Sequence, residues 1–322
     1  MQVVLYYVTT IAGGELLAIT KKRFEEIVNE LRRKGEIVPA TYDCVFKAIM
    51  RNCSKYRADT TSRLTGIIKE VILNTYQEKN TEYVIDNALE KGKVSDVLFG
   101  INGFIINYEF NGRNWQGLIE RNDAYLGKIK NDLIRKTESY DKMPKVIQIN
   151  INNFYSFLSR ENVLEFKSRD KYGIVESDKW GKIYVNLKLI REKYKRGLNL
   201  SKLEKELLIL TLTKVDEIDK IAEGDEELME VAKELKKLTE DINTIGLYDL
   251  EEERRWIENS KLNTAREKGI EKGIEKGIEK GIKQGIKDEK KSIAKNLLKD
   301  GLSVSKVSKY TGLSKKQVSM LM

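Results

Sequence analysis

Residues 94–111 read Val-Ser-Asp-Val-Leu-Phe-Gly-Ile-Asn-Gly-Phe-Ile-Ile-Asn-Tyr-Glu-Phe-Asn. The segment holds two short runs rich in β-branched and aromatic residues, which favour β-strands. Between them lies Asn-Gly at positions 102–103, the strongest short-range signal for a β-hairpin, because both central residues of a type I′ turn need positive φ. Counting outward from a two-residue turn places Asp96 directly opposite Glu109. The sequence therefore predicts a hairpin with two facing carboxylates.

The facing carboxylates of Asp96 and Glu109 predict a metal site. Directly opposed residues of an antiparallel pair point to the same face, with Cβ atoms roughly 4.5–5.5 Å apart. Two carboxylates at that separation repel each other, and a divalent cation between them reverses the sign of the interaction. Asn111 lies two residues beyond Glu109 and shares its face. The alternative is that both acids are solvated residues on the exposed face of an antiparallel hairpin.

Composition narrows the chemistry that this chain can perform. Its 322 residues include no histidine, which excludes Ser-His-Asp and Cys-His catalysis, His-ligated zinc and nucleases with a histidine base. Cys44 and Cys53 are too few for a zinc cluster or a disulfide framework, and they fit a reducing, cytoplasmic setting. Residues 1–12 are apolar but lack a basic n-region and are too short to span a bilayer, so we expect neither export nor a membrane anchor.

Positive charge is concentrated at the C-terminal end. The chain carries a formal net charge of +9, and residues 258–322 hold 16 basic against 8 acidic residues, a net charge of +8. A nearly neutral body with a basic tail indicates a polyanionic partner such as nucleic acid, contacted mainly by the tail. The alternative is a solvated helical tail.

Hydrophobic periodicity predicts an α/β sandwich with a mixed sheet flanked by helices. We expect helices at residues 21–34, 40–50, 61–74 and 115–138, and strands at residues 83–89, in the hairpin, and at residues 145–154, 163–167 and 183–190. In residues 145–154 isoleucines alternate with Gln148, Asn150 and Asn152, the pattern of a half-buried strand. Arg121 and Tyr125 share the apolar stripe of their helix. Either they point toward the sheet, or the arginine snorkels beside a core tyrosine.

Charged helices are expected at residues 203–213, 225–238 and 250–262, followed by a repeat of period four. Glycine recurs at every fourth position of residues 269–285, each time followed by isoleucine, which fits either a marginal helical linker that pairs with a copy of itself or a flexible spacer. Beyond it, two short helices flank Thr311-Gly312-Leu313-Ser314, with Ser314 and Gln317 as a capping box. This tail is typical of a helix-turn-helix that binds DNA through Lys306, Lys309, Lys315 and Lys316, although many such tails bind only protein.

Several short motifs follow one another in order. They are Asp43-Cys-Val-Phe-Lys47, Ser95-Asp96-Val97, Asn107-Tyr-Glu-Phe-Asn111, Glu120-Arg-Asn-Asp-Ala-Tyr125, Lys145-Val-Ile-Gln-Ile-Asn-Ile151, the glycine repeat and Thr311-Gly312-Leu313-Ser314. In these residues and their spacing the chain resembles the recombination-promoting nucleases, also described as PD-(D/E)XK nuclease family transposases. The resemblance covers about six-sevenths of the chain, from Asp43 to the end.

The resemblance implies a restriction-endonuclease-like fold and Mg²⁺-dependent cleavage of double-stranded DNA, with Asp96 and Glu109 as metal ligands. The wider superfamily has lysine two residues after the glutamate and this family usually has glutamine, whereas here the residue is Asn111. Asparagine cannot carry the charge of lysine, but it can orient a water or a phosphate oxygen by hydrogen bonding. Asp43 or Lys47 is expected to approach this site from the first helix of the core, with helix capping and surface solvation as the alternatives.

Together these observations divide the chain into five segments. They are an N-terminal extension at residues 1–38, a PD-(D/E)XK nuclease-like core at residues 39–195, a helical region at residues 196–263, a repeat linker at residues 264–288 and a helix-turn-helix-like tail at residues 289–322. The expected function is a cytoplasmic, metal-dependent DNA endonuclease linked to recombination or mobile elements. The alternatives are a DNA-binding module with weakened catalysis and a self-associating assembly protein that uses the repeat and the tail.

Overall fold

The computed structural model describes residues 19–79, 96–133, 139–157 and 160–321. It forms two compact units, Met1–Glu251 and Glu252–Met322. The strand predicted at residues 83–89 and the turn that should follow it lie outside the described residues. The finer segment limits predicted from the sequence remain predictions.

The predicted hairpin is confirmed, with strands β2 (Val97–Ile101) and β3 (Phe104–Asn111). Its register pairs Ile101 with Phe104, as a two-residue turn requires. The predicted turn type is wrong, because only Gly103, with φ of 78°, has positive φ, whereas a type I′ turn also needs positive φ at the asparagine. The register survives this difference because it depends on the length of the turn.

The hairpin belongs to a six-stranded mixed sheet, which confirms the predicted α/β class. Its other strands are β1 (Gln77–Glu78), β4 (Lys145–Asn152), β5 (Val163–Phe166) and β6 (Trp180–Asn186). The strand order is β1-β2-β3-β4-β6-β5. Strand β4 runs parallel to both β3 and β6, and the other three pairings are antiparallel.

One face of the sheet is apolar and forms the main hydrophobic core. Ile106, Tyr108 and Ile149 project from this face into the same buried cluster as Phe46 and Leu235. The last two residues lie on helices that precede and follow the sheet in sequence. Helices from both ends of the first unit therefore pack on this face.

The opposite face of the sheet is polar near its centre and is nevertheless buried. Helix α5 (Leu118–Asp132) covers it, with Leu126 and Ile129 in an apolar cluster that includes Leu98 and Val146 of the sheet. The prediction of a half-buried β4 is therefore wrong, since every residue of this strand after Lys145 is buried. Parallel sheets are commonly covered on both faces, and here the cover lies over amide side chains.

The first unit contains further helices around this sheet. They are α1 (Lys21–Lys34), α2 (Asp43–Asn52), α3 (Ser54–Thr65), α4 (Lys69–Thr75), α6 (Leu187–Lys195), α7 (Lys202–Leu208), α8 (Val215–Ala222), α9 (Glu226–Thr239) and the start of α10 (Ile242–Lys299). Short 3₁₀ turns cover Tyr140–Lys142 and Ile209–Thr211.

Three predicted elements differ from the structure. The helix expected at residues 203–213 ends at Leu208 and is followed by the 3₁₀ turn at Ile209–Thr211. The helix expected at residues 61–74 is interrupted at Gly66, whose φ of 75° ends α3 in the left-handed region. The strand expected at residues 183–190 stops at Asn186, and the chain continues as α6. In that helix Leu187 and Ile190 are buried three residues apart, so the apolar residues follow a helical rather than a strand spacing.

The second unit is helical. It holds the rest of α10, followed by α11 (Val304–Thr311) and α12 (Lys315–Ser319), and its small core contains Ala294, Val307, Leu313 and Val318. The predicted capping box of Ser314 and Gln317 is confirmed. The glycine repeat lies within α10, so the helical form of the linker is the one observed. No helix in the described part of the chain is both long enough and apolar enough to span a membrane.

Candidate active site

Asp96 and Glu109 meet at the open end of the β2–β3 hairpin. Glu109 lies on β3 and is 1% exposed, whereas Asp96 immediately precedes β2. The observed pairing of Val97 with Tyr108 places Asp96 opposite Glu109 when the register is extended by one residue. The backbone N–H of Phe110 donates to Oδ2 of Asp96 over 2.6 Å, which fixes this carboxylate beside the strand that carries Glu109.

The carboxyl group of Asp96 is strongly perturbed. Burial, together with the charge of Asp43, raises its pKa from 3.8 to about 7. The hydrogen bond from Phe110 and the charges of Lys47 and Arg121 act in the opposite direction but only partly compensate. The charged form of Asp96 is therefore costly in the protein alone, and an additional cation nearby would stabilise it.

Helix α2 contributes two of the charges at this site. Nζ of Lys47 lies 2.7 Å from Oδ2 of Asp43, one helical turn away. Burial lowers the pKa of Lys47, but the carboxylates of Asp43, Asp96 and Glu109 raise it by more, so the net shift is upward. The ammonium therefore remains charged. The structure thus brings both sequence-predicted α2 residues to the two carboxylates.

Helix α5 supplies a second cation, Arg121. Its Nη2 donates to Oδ1 of Asn111 over 2.8 Å and lies 3.9 Å from Oε2 of Glu109. The guanidinium also lies near the rings of Trp115 and Tyr125, at 5.8 and 5.3 Å from their centroids. Of the two orientations open from the sequence, the one toward the sheet is the one observed.

Asn111 uses both ends of its amide within the protein. Its Oδ1 accepts from Arg121, and its Nδ2 donates to Oδ1 of Asn152 over 2.8 Å. Asn152 in turn donates to Oγ of Ser156 over 2.6 Å. Asn111 is 3% exposed, and its contact with a water or a phosphate stays a prediction.

A buried row of polar side chains extends from this site beneath α5. The parallel register places Asn107 beside Gln148, Glu109 beside Asn150, and Asn111 beside Asn152. Gln148 donates to the backbone oxygen of Asn122 on α5 over 3.0 Å. Several polar atoms beneath and beside this helix have no hydrogen-bond partner within the described ranges, namely Oδ1 of Asn107, Nε of Arg121, Nδ2 of Asn122, Oε1 of Gln148 and Oδ1 of Asn150. Buried polar atoms of this kind commonly hold ordered water.

Sequence reasoning missed this polar row, although its signal is present. Polar residues recur at every second position of two successive strands, at 107–111 and again at 148–152. Side chains alternate between the two faces of a strand, so the polar residues of both strands lie side by side on one face of the sheet if the strands pair in parallel. The parallel pairing depends on the long connection between the strands, and local patterns do not specify it.

A cleft of about 370 Å³ opens beside Asp96. It is lined by Lys47, Arg51, Tyr76, Glu78, Lys79, Asp96, Val97 and Leu98. Three of these side chains are cationic, and two of them pair with carboxylates, Lys47 with Asp43 and Arg51 with Glu78. The cleft therefore combines two carboxylates, those of Glu78 and Asp96, with three cations, a charge pattern suited to a phosphate-bearing ligand.

The donor set at the hairpin fits Mg²⁺ but is not a complete protein cage. Within the described ranges, no group of three or more Asp, Glu, Cys or His is arranged to hold a metal ion. Mg²⁺ usually retains several waters and is bound through one or two carboxylates plus substrate phosphates. The two carboxylates Asp96 and Glu109 match that requirement.

The four lysines predicted to bind DNA lie in the second unit. Lys306 and Lys309 are on α11, Lys315 and Lys316 are on α12, and all four are exposed. The two helices that carry them contribute Val307 and Val318 to the small core of this unit. The arrangement of the lysines is compatible with contact to phosphates.

Comparison of the chain with protein-family models, with curated proteins and with solved structures gives no match. The residues of the site are therefore the basis for assigning a function.

Proposed function

We propose that this chain is a metal-dependent endonuclease that hydrolyses phosphodiester bonds of double-stranded DNA, in recombination or in mobile elements. The observation that carries the proposal is the meeting of Asp96 and Glu109, together with Lys47 and Arg121, at the open end of one hairpin. A structural sheet gains nothing from two opposed carboxylates, whereas metal-dependent phosphoryl chemistry needs acids and cations side by side.

The proposal includes a restriction-endonuclease-like arrangement of the first unit. A hairpin that carries the acids, a parallel strand beside it and helices on both faces of the sheet support this arrangement. The resemblance noted in the sequence motifs points to the same fold.

Asp96 and Glu109 would hold Mg²⁺, which when bound polarises the scissile phosphate and lowers the pKa of the attacking water. Lys47 retains its positive charge and offsets part of the phosphate charge. Phe110 orients the carboxylate of Asp96 through its backbone N–H. The cationic cleft beside Asp96 would receive the flanking DNA backbone.

A plasmid-nicking assay tests the proposed function. Supercoiled plasmid is incubated with the purified full chain in Mg²⁺, in Ca²⁺ and in EDTA, with the double variant Asp96→Asn, Glu109→Gln as the control for contaminating nuclease. We expect nicked or linear product only with the parent protein and Mg²⁺. Equal cleavage by the double variant, or no cleavage by the parent at any enzyme concentration, would contradict the proposal.

One observation favours a second candidate, a DNA-binding module without cleavage. Both ends of the Asn111 amide are bonded within the protein and the residue is 3% exposed, so little of the amide is accessible to a water or a phosphate. In that case the parent protein would bind DNA in the same buffers and leave the plasmid intact.

The repeat in α10 favours self-association as an accompanying property. The isoleucines that follow its glycines are 49–58% exposed, at Ile270, Ile274, Ile278, Ile282 and Ile286. A regular row of exposed apolar side chains on a helix is suited to a second copy of the same helix. Light scattering of the full chain and of a chain ending at residue 266 should give a higher mass per chain for the former, and equal monomer masses would contradict self-association.

A further inference from the structure

Of Lys47 and Arg121, the two cations that flank Asp96 and Glu109, Arg121 is the less closely paired with a carboxylate. Lys47 has a carboxylate oxygen at 2.7 Å, in Asp43, whereas the carboxylate contact of Arg121 is at 3.9 Å, in Glu109. Nε of Arg121 is buried and has no hydrogen-bond partner among the residues that the structure describes. About one third of its side chain is exposed, so the guanidinium lies at the boundary between the protein and solvent.

A neutral side chain holds this guanidinium in place. Asn111 accepts from Nη2 of Arg121, and Asn111 is itself fixed by Asn152 of the neighbouring strand. An amide oxygen orients the arginine without neutralising it, unlike a carboxylate. The positive charge therefore remains available to an incoming anion. The planar guanidinium, with its fork of donors, matches the geometry of phosphate oxygens.

We infer that Arg121 binds the phosphate that is cleaved, and that Asn111 is the positioning residue that aims it. The inference rests on the proposed nuclease function and adds a role that neither residue had from the sequence. Asn111 on β3 is neutral and cannot supply a positive charge. Arg121 on α5 supplies that charge and is joined to Asn111 by one hydrogen bond. Charge that develops on the phosphate oxygens during hydrolysis would be stabilised by this preset guanidinium.

The test compares Arg121→Met and Arg121→Gln with Lys130→Met, a charge removal on the same helix. Lys130 lies over the ring of Trp180, 3.6 Å from its centroid, and the charges that act on it are those of Lys182 and Asp123. Loss of an electrostatic donor to a developing oxyanion typically lowers kcat by roughly 10²–10³-fold. We expect that loss in both Arg121 variants, with KM changed by less than the loss in kcat, and parent-like kinetics in Lys130→Met. Parent-like kinetics in Arg121→Gln would overturn the inference while leaving the nuclease function intact.

A double-mutant cycle tests the role of Asn111. If Asn111 acts through Arg121, Asn111→Ala lowers kcat in the parent but has little further effect in Arg121→Met. Equal effects of Asn111→Ala in both backgrounds would assign it an independent or purely structural role.

A binding measurement without metal decides the question even if no cleavage is found. DNA affinity is measured by anisotropy across a salt series in EDTA, with DNA as the only added ligand. Loss of one phosphate contact should reduce the slope of log K against log salt by about 0.9 in Arg121→Met, with no change in Lys130→Met. Equal slopes for the parent and Arg121→Met would overturn the phosphate contact, whereas an inactive parent with the reduced slope would overturn only the nuclease function.

Discussion

The backbone N–H of Phe110 donates to the side chain of Asp96 across the open end of the hairpin, over 2.6 Å. The bond joins the residue after Glu109 to the carboxylate that opposes Glu109. An asparagine at position 96 keeps an oxygen that can accept the same bond. Removal of the charge and removal of the hydrogen bond can therefore be separated by experiment.

We predict that Asp96→Asn abolishes Mg²⁺-dependent cleavage and leaves the metal-free protein at least as stable as the parent. The substitution removes a partly buried charge near Glu109 and retains the acceptor for Phe110. A ligand at 100 times its Kd stabilises a protein by about 2.7 kcal/mol, so Mg²⁺ should raise the Tm of the parent but not that of the variant.

The matched control is Glu120→Gln, which removes an exposed carboxylate at the start of α5. It should behave like the parent in both measurements. A Tm of Asp96→Asn well below the parent value in EDTA would show that Asp96 is a structural residue, and an equal Mg²⁺ shift in both proteins would remove it from the metal site.

We predict that Asn111→Lys destabilises the protein and does not improve cleavage. A lysine at this buried position would place its ammonium beside Arg121 and would leave Asn152 without its donor. A buried polar group without a partner costs about 1–3 kcal/mol. The measurement is urea unfolding with cleavage kinetics at a fixed pH. A faster and equally stable Asn111→Lys enzyme would mean that Arg121 is not the required cation.

We predict that Glu206→Gln flattens the pH dependence of stability between about pH 5 and pH 8. Burial, and then the hydrogen bond and charge of Asp59, raise the pKa of Glu206 from 4.5 to about 8. A raised folded-state pKa gives stability that is full below pH 4.5 and is lost as pH rises through about 8. The neutral glutamine mimics protonated Glu206 and carries no such loss.

The check is the free energy of unfolding in urea at several pH values for the parent and Glu206→Gln. The parent should lose stability relative to the variant as the pH rises across this window. Parallel curves would show that Glu206 titrates at its ordinary pKa in the folded protein.

We predict that the second unit provides much of the DNA affinity. A chain ending at Asp288 lacks the four exposed lysines of α11 and α12. If each contacts one phosphate, their replacement by alanine should flatten the dependence of log K on log salt by about 3–4 units. Slow cleavage should persist at low salt, because the proposed metal ligands are in the first unit. Unchanged affinity of the truncated chain would indicate that this unit binds protein.

The hairpin could be predicted because its register depends on local residues. Asn-Gly at positions 102–103 specifies a two-residue turn, and pairing then follows outward to Asp96 and Glu109. The same dipeptide led to the wrong turn type, since only Gly103 of the two turn residues has positive φ. The predicted end of the strand at residues 183–190 was also wrong for a local reason. A few apolar residues in a short segment do not distinguish a strand from a helix.

The surroundings of the two acids could not be predicted in the same way. Arg121 contacts Glu109 and Lys47 interacts with it electrostatically, from helices on either side of the hairpin in sequence. Their approach depends on packing between distant elements. Periodicity allowed two orientations for Arg121, and contact with Asn111 distinguishes them. The burial of Gln148 likewise depends on α5, whose position over the sheet is a tertiary property.

The two faces of the central strands differ in how strongly they specify the register of β4 against β3. On the apolar face of β4, isoleucine occupies positions 147, 149 and 151, so a slip of two residues against β3 would exchange one isoleucine for another. On the polar face the same slip would separate Asn111 from Asn152 and place Gln148 beside Glu109. The amides under α5 therefore distinguish the native alignment from near-degenerate ones that the hydrophobic core alone would accept.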